Sequence, residues 1–317
     1  MTLPKSWEGK LSLPVVASPM FLTSTPELVI ACCKSGVVGT FPVLNQRRTE
    51  GYVAWLDQIE GALSVTDCDV PFGVNIVVHR SNARLEADLA VTIDHKVPLV
   101  ITSLGLNRDL IRAVHDYGGL VFHDVVNMKF AEKAIEAGAD GLIAVTYGAG
   151  GHAGTLNPFA FMQDLRRIFD GTLLLGGAVA TGHQILAAQL MGADLAYMGS
   201  RFLATEESSA PLRHKELMVA GQAEDIVLTP RVSGLPGNFL RESFIEAGLD
   251  PDDLTPAAEL NLSTTDNIKP WRDLWASGQG IGAISDIPPA TDLCTRLKHE
   301  YDEACKRAAA GFEGRNG

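Results

Sequence analysis

Short, unbroken apolar runs recur through the first two hundred positions, each followed by a longer stretch with helical spacing. Runs at 13–17, 36–41, 71–78, 97–101, 119–123, 139–145, 172–175 and 194–198 read as strands. Segments 27–35, 52–63, 85–94, 107–117, 128–137, 159–169 and 181–191 read as the helices between them. Continuous rather than alternating apolar runs mark strands buried on both faces, and parallel strands need crossover helices. The pattern therefore predicts an α/β fold, a closed (β/α)8 TIM barrel rather than an open doubly wound sheet. No Gly-x-Gly-x-x-Gly opens the first helix, so a Rossmann nucleotide site is not supported there. Thr25 ahead of Pro26 predicts an N-cap with proline at the first helical position, and Gly138 predicts a C-terminal stop.

After Phe202 the period is lost. Residues 206–270 read as a small helical lid insertion near the C-terminal end, with helices at 213–220, 242–248 and 257–262 and a turn at 235–238. A charged amphipathic helix at 288–309 closes the wall. The expected division is a barrel at 1–205 and 271–317 and a lid, or substrate domain, at 206–270. Trp271 and Trp275 share one helical face, with core packing favoured over stacking on a ligand.

Composition narrows the partners. The 317 residues are 46% hydrophobic and 20% charged, with a formal net charge of -12. An acidic chain without a basic stripe argues against nucleic acid as the main partner. No stretch reaches the length needed to span a bilayer, and residues 1–10 lack a signal-peptide core, so a cytoplasmic location is expected. The five cysteines fit no zinc spacing, and the pair Cys32-Cys33 reads as packing within a helix.

The chemistry concentrates at strand ends. The sixth strand runs into Gly148, Ala149, Gly150, Gly151, His152 and Gly154. Glycines there let backbone approach a ligand, and one imidazole in a side-chain-poor loop suits catalysis at the C-terminal face of a barrel. Gly176-Gly177 and Gly199-Ser200 follow the seventh and eighth strands, where barrels often bind phosphate through backbone N–H groups. Ser18, Pro19 and Met20 after the first strand, and Asn75 within the third, would line the same mouth and suit a flat ring with polar edges, such as an isoalloxazine. No metal cluster is visible. His123, at a strand end, is a second candidate facing the mouth, or else a structural group. Asp124 could orient a neighbour, although adjacent residues often point apart. His183 reads as capping or exposed, and Arg201 as a phosphate contact or a surface ion pair.

Ala17-Ser-Pro-Met20, Phe72-Gly-Val-Asn75, Ala149-Gly-Gly-His-Ala-Gly154, Gly176-Gly177, Met198-Gly-Ser-Arg-Phe202 and Gly278-Gln-Gly280 occur in this order. In these motifs the chain resembles the nitronate monooxygenase family, formerly 2-nitropropane dioxygenases. The resemblance implies FMN held non-covalently, with phosphate contacts at Gly177, Gly199 and Ser200 and further contacts at or near Met20, Asn75, Met198 and Gln279. It implies His152 as the catalytic or substrate-orienting residue, with Ala149, Gly150 and Gly151 beside it. Many members carry a glutamate where this chain has Ala149. The implied reaction is oxidation of alkyl nitronates by O2. The alternative is an NAD(P)H-dependent flavin reductase acting on quinones or enoyl thioesters, and a third reading is a barrel that binds a phosphorylated ligand without redox work. Expected partners are a small substrate, O2 and, for the reductase, NAD(P)H; a homodimer is allowed.

Overall fold

A computed structural model describes residues 2–256 and 272–313. The chain runs β1 (Val15–Ala17), α1 (Pro26–Lys34), β2 (Val38–Pro42), α2 (Thr49–Val65), β3 (Gly73–Val77), α3 (Leu85–Asp94), β4 (Leu99–Ser103) and α4 (Arg108–Asp116). It continues through β5 (Leu120–Val125), α5 (Met128–Ala137), β6 (Gly141–Val145), β7 (Gly151–His152), α6 (Pro158–Ile168), β8 (Thr172–Gly176), α7 (Gly182–Leu190), β9 (Leu195–Met198) and α8 (Ser200–Leu203). Then come α9 (Leu212–Ala220), β10 (Ile226–Thr229), β11 (Gly237–Leu240), α10 (Arg241–Glu246) and α11 (Ala290–Glu313). Strands β1-β2-β3-β4-β5-β6-β8-β9 form a closed parallel barrel, with β9 returning to β1. The (β/α)8 expectation is met strand for strand.

Local chemistry sets where each helix begins. Thr25 caps α1 by accepting from Leu28 N (3.1 Å), with Pro26 in the first turn. Asn107, Asn127 and Asn157 cap α4, α5 and α6 through their side chains, and Thr181 with Gln184 forms a capping box on α7. Each cap satisfies N–H groups that the first turn leaves unpaired, so a helix starts just after each strand-end loop. Gly138 ends α5 at φ 92°, in the left-handed region where glycine pays no Cβ cost.

Alternation sorts the strand residues into two faces. Val16, Val38, Leu99, Ile101, Phe122, Ile143, Leu174 and Leu195 fill the barrel interior, and Trp7 packs among them, 5.5 Å from the ring of Phe122. The neighbouring positions face outward onto the helices: Val74, Ile76, Val100 and Val121 on one flank, Ala17, Ala196 and Met198 on another, and Val125, Leu142, Ala144 and Leu173 on a third. Cys32 and Cys33 are fully buried packing residues on α1.

The cover differs from expectation. Helices α9 and α10 are present, but β10 and β11 lie between them and pair antiparallel with each other, and β11 pairs with β7. The cover is thus part sheet. Four-residue strands beside Gly and Pro are too short to show a period in sequence, and Gly237–Leu240 falls partly in the expected turn. The expected helix at 257–262 and Trp271 lie outside the described residues. Trp275 stacks on His214 (5.3 Å, 10°) and packs against the core cluster of Leu203, Met218 and Ile281, in keeping with the core-packing expectation.

Candidate active site

Above the apolar plug, the inward positions at the C-terminal strand ends turn polar. By the same alternation they are Thr40 on β2, Asn75 on β3, Ser103 on β4, Asp124 on β5 and Tyr197 on β9. Thr40 Oγ1 donates to Ala17 O (2.5 Å), and Asn75 Nδ2 donates to Ser103 Oγ (2.5 Å) and Ile101 O (3.2 Å). Burial drives the Asp124 carboxyl up to about 7, opposed by a hydrogen bond from Ser103. Burial, reinforced by the Asp124 charge, also raises the Tyr197 phenol.

One expected contact faces the other way. His123 lies between the inward Phe122 and Asp124, so its ring sits behind the strand, with Nδ1 2.8 Å from Thr102 Oγ1. Burial lowers it to about 4. The expectation that His123 faces the mouth is corrected: position in the sequence located the strand end but not the phase of the side chains. Ala17 and Met198 likewise pack their side chains into the outer cluster, which leaves their backbone as the part available to a ligand at the rim.

The other side of the mouth is backbone. Gly177 sits at φ 145°, and a Cβ there would lie 2.1 Å from Thr146 Oγ1. A Cβ on Gly199 would lie 2.8 Å from Ser18 Oγ and 3.9 Å from Met20 Cγ, which places Ser18 and Met20 beside the last strand end. The N–H groups of Gly177, Gly199 and Ser200 find no acceptor among the described residues. Ser200 Oγ accepts from Gly278 N (2.8 Å). Arg201 turns inward, 2% exposed, bonding to Ala204 O and Asp286 O and pairing with the Asp286 carboxylate (3.4 Å), so its guanidinium is taken up by an ion pair at the surface edge, as the second of the two readings had it.

The histidine loop is knitted into the cover. Gly148 O accepts from both Ala178 N and Gln279 N, and a Cβ on Gly150 would lie 2.7 Å from Gly278 N. Gly151 and His152 form β7, in register with Asn238 and Gly237. Asn238, fully buried, donates from Nδ2 to Tyr147 O and Ala149 O, both at 2.7 Å. His152 Nε2 lies 2.8 Å from Ser233 Oγ, whose hydroxyl is directed at Leu235 O (3.5 Å). That order favours the tautomer with the proton on Nε2 and Nδ1 as the basic atom. Burial lowers His152 to about 4, so the ring is neutral at neutral pH. His214, likewise lowered to about 4 by burial, bonds Ser277 Oγ next to Gly278.

The structure thus gathers Ser18, Met20, Asn75, Ala149, Gly150, Gly151, His152, Gly176, Gly177, Gly199, Ser200 and Gln279 at one end of the barrel. Sequence reasoning missed Thr40, Ser103, Tyr197, Ser233 and Asn238, and left Asp124 without a place. Counting inward positions from the apolar plug would have found Thr40, Ser103 and Tyr197. Nothing local marks Ser233 or Asn238, which reach the site only through the cover's pairing. His183 is exposed beside Arg307, with Thr181 as the cap. Among the described residues no helix is long and apolar enough to cross a membrane.

The fold is a (β/α)8 barrel with polar side chains and glycine-rich loops gathered at the C-terminal strand ends. The family model for nitronate monooxygenase matches residues 83–300, and the chain belongs to that family of oxidoreductases. It is 26% identical to a nitronate monooxygenase of Paraburkholderia phytofirmans, over 93% of each chain. It is 28% identical to the (3aS,4S,5R,7aS)-5-hydroxy-7a-methyl-1-oxo-octahydro-1H-indene-4-carboxyl-CoA dehydrogenase of Rhodococcus jostii; that match covers 74% of this chain and only 64% of the relative's length. A nitroalkane oxidase structure from Streptomyces ansochromogenes superposes with a TM-score of 0.82 at 24% identity, covering 96% of this chain and all of the other, a likeness of fold.

Proposed function

We propose that this oxidoreductase binds FMN at the barrel mouth and oxidises alkyl nitronates with O2. The observation that carries the FMN reading is the backbone cradle. Three N–H groups with no acceptor among the described residues stand at the ends of the last two barrel strands, and at two of them, Gly177 and Gly199, a Cβ would collide with Thr146 or Ser18. Unpaired N–H groups at a strand end are suited to an anionic phosphate. Asn75 and Gln279 would meet the ring. FMN would supply the electron chemistry, and the protein supplies position, field and proton handling. His152, neutral and steadied by Ser233, accepts the proton α to a nitro group at Nδ1 or steers the nitronate oxygens. Cover strands β10 and β11 fix that ring over the mouth and limit access of water.

The reductase reading has one observation in its favour. The polar layer of the barrel mouth, Thr40, Asn75, Ser103, Asp124 and Tyr197, carries no cation, so an anionic nitronate gains nothing from it. A neutral enoyl thioester or quinone meets no such mismatch, and the Rhodococcus relative is named for a CoA thioester.

The test begins with the absorbance spectrum and cofactor content of the purified protein, which should show FMN. Turnover of nitroalkanes under O2 should fall by roughly 100- to 10,000-fold in His152→Ala, the range for loss of a proton-transfer group, with flavin retained. Unchanged turnover removes the histidine's role. Rapid anaerobic bleaching by NADH or NADPH, with no nitroalkane turnover, selects the reductase.

A further inference from the structure

The unpaired arginines of the chain collect in one place. Arg47, Arg48, Arg80 and Arg108 are exposed and have no ion pair or side-chain hydrogen bond among the described residues. Every other described arginine bonds a carboxylate or a backbone carbonyl. Arg47 and Arg48 lie between β2 and α2, Arg80 lies between β3 and α3, and Arg108 opens α4 after β4. Those strands are neighbours, so the four stand on one sector of the C-terminal rim, outside Thr40, Asn75 and Ser103. In a chain with a formal net charge of -12 acids are plentiful, yet none is bonded to these four. The acids on the same loops are Glu50, Glu86 and Asp109, and Asp109 bonds Arg112.

A cavity of about 310 Å³ opens in this sector, with Val78, His79, Arg80, Asn82, Leu85 and Glu86 on its walls. That volume is at the lower end for a small-molecule site. Leu85 and Glu86 belong to the first turn of α3. Helices α2 and α3 start without a side-chain cap, unlike α1 and α4 to α7. Uncapped first-turn N–H groups carry the positive end of the helix dipole and suit an anion. Ser81 N donates to His79 Nδ1 (3.3 Å), which leaves Nε2–H of the neutral ring as a further donor. The loops are held in place from below: Arg84 bonds Gln46 O (2.5 Å) and Asp88 (2.8 Å), and Thr49 donates to Asp88 (2.9 Å).

We propose that this sector binds the phosphates of a molecule with a nucleoside diphosphate tail, whose other end reaches the mouth. The proposal rests on the reductase reading above for that molecule's role, though not for its binding. Adjacent strands lie about 4.8 Å apart, so cations on the loops after β2, β3 and β4 spread over roughly 10 Å. One carboxylate or nitro group cannot meet them all, whereas a diphosphate with a further phosphomonoester can. Guanidinium groups take phosphate oxygens two at a time, and the apolar wall of Val78 and Leu85 suits the nucleoside. A reduced nicotinamide dinucleotide phosphate and a coenzyme A thioester both carry this tail. The inner polar layer of the mouth has no cation and receives the uncharged end of either; the rim holds the anionic end.

The experiment is a calorimetric titration of the purified protein with NADPH, NADH and coenzyme A, at low and at physiological salt. Binding should weaken as salt rises. Arg80→Ala, and Arg47→Ala combined with Arg48→Ala, should each weaken it by about 10-fold, the scale of one lost charge-assisted hydrogen bond. Glu86→Gln should tighten it by roughly twofold, because a like charge leaves the cavity wall. Arg167→Ala, in the last turn of α6 and paired with Asp164, is the control and should bind as wild type. None of the rim arginines bonds the fold, so their variants should keep the wild-type circular dichroism spectrum. Preference for NADPH over NADH identifies the dinucleotide as the source of the tail; binding of coenzyme A without NADPH identifies the thioester. Protein that holds FMN yet binds none of the three, or equal affinity in Arg80→Ala and Arg167→Ala, overturns the proposal and leaves the FMN reading intact. Arginine-dependent binding with no flavin bleaching by NADPH and no turnover of enoyl thioester supports the subsite and overturns the reductase reading. Such binding by a protein that takes up no flavin supports the subsite and overturns the FMN reading.

Discussion

The two halves of the barrel mouth are built from different materials. From β2 to β5 the rim is side chains: Thr40, Asn75, Ser103 and Asp124. From β6 round to β9, with the cover, it is mostly backbone: Gly148, Gly150, Gly177, Gly199 and Gly278, packed so closely that an added Cβ would meet a neighbour at 2.1–3.1 Å. The side-chain half can hold and release a proton. The backbone half cannot titrate, but it presents fixed N–H dipoles to an anion, whose strength does not vary with pH. On the FMN reading proposed above, one end of the barrel thus offers a phosphate grip on its backbone half and a titratable carboxyl on its side-chain half.

The comparison breaks most easily in the backbone half. Gly177→Val puts a branched side chain at φ 145° and into Thr146 Oγ1. Strain of this kind costs about 1–3 kcal/mol, so we expect FMN affinity to fall by roughly 100-fold with the circular dichroism spectrum retained. Gly61→Ala, at a helical position with nothing within 4 Å, is the control and should bind FMN normally. Equal affinity in Gly177→Val and the control would show that the cradle is not the grip.

Asn238→Ala sharpens the comparison from the cover side. The Asn238 amide ties Tyr147 O and Ala149 O across the gap between barrel and cover, and its own Oδ1 has no partner. Removing it strands two carbonyls, at about 1–3 kcal/mol in stability. Hydrogen exchange should rise in segment 147–152 and leave β2–β5 unchanged. Uniform loosening would mean that the two halves are not independent.

These regions differ in how much could be read from sequence. Strands, helix caps and glycine loops announce themselves locally, because each is decided by a few neighbouring residues: Thr25 with Pro26, Gly138 after α5, Gly176-Gly177 after β8. The side-chain half depends on phase. His123 and Asp124 are adjacent and do point apart, yet choosing which faces the mouth needs the plug residue Phe122 as a reference, and that emerges only when the barrel closes. The cover is least legible. Asn238 and Ser233 reach the histidine loop through an antiparallel pairing between segments some eighty residues apart (81 from His152 to Ser233), which no local pattern encodes.

The placement of His123 behind the wall can be tested through pH. His123, His152 and His214 are each lowered to about 4 by burial, below an ordinary histidine value near 6.5. The folded protein holds these rings neutral, so the unfolded chain binds more protons between those values. The stability they contribute is fully present above about 6.5 and is lost as pH falls through 4. Asp124, raised to about 7, acts in the opposite sense: its contribution is favourable at low pH and falls away as pH rises from about 4 to 7. Near pH 5 the flavin-free protein should therefore lose stability on acidification with three histidines opposed by one carboxyl. His123→Phe should reduce that slope by about one proton while leaving FMN affinity within about twofold, because the ring it replaces touches Thr102 and not the mouth. Urea unfolding at pH 4.5, 5.5 and 6.5 measures the slope. Loss of FMN from His123→Phe, with the slope unchanged, would put His123 on the inner face and reverse the phase assigned to β5, and with it the position of Asp124.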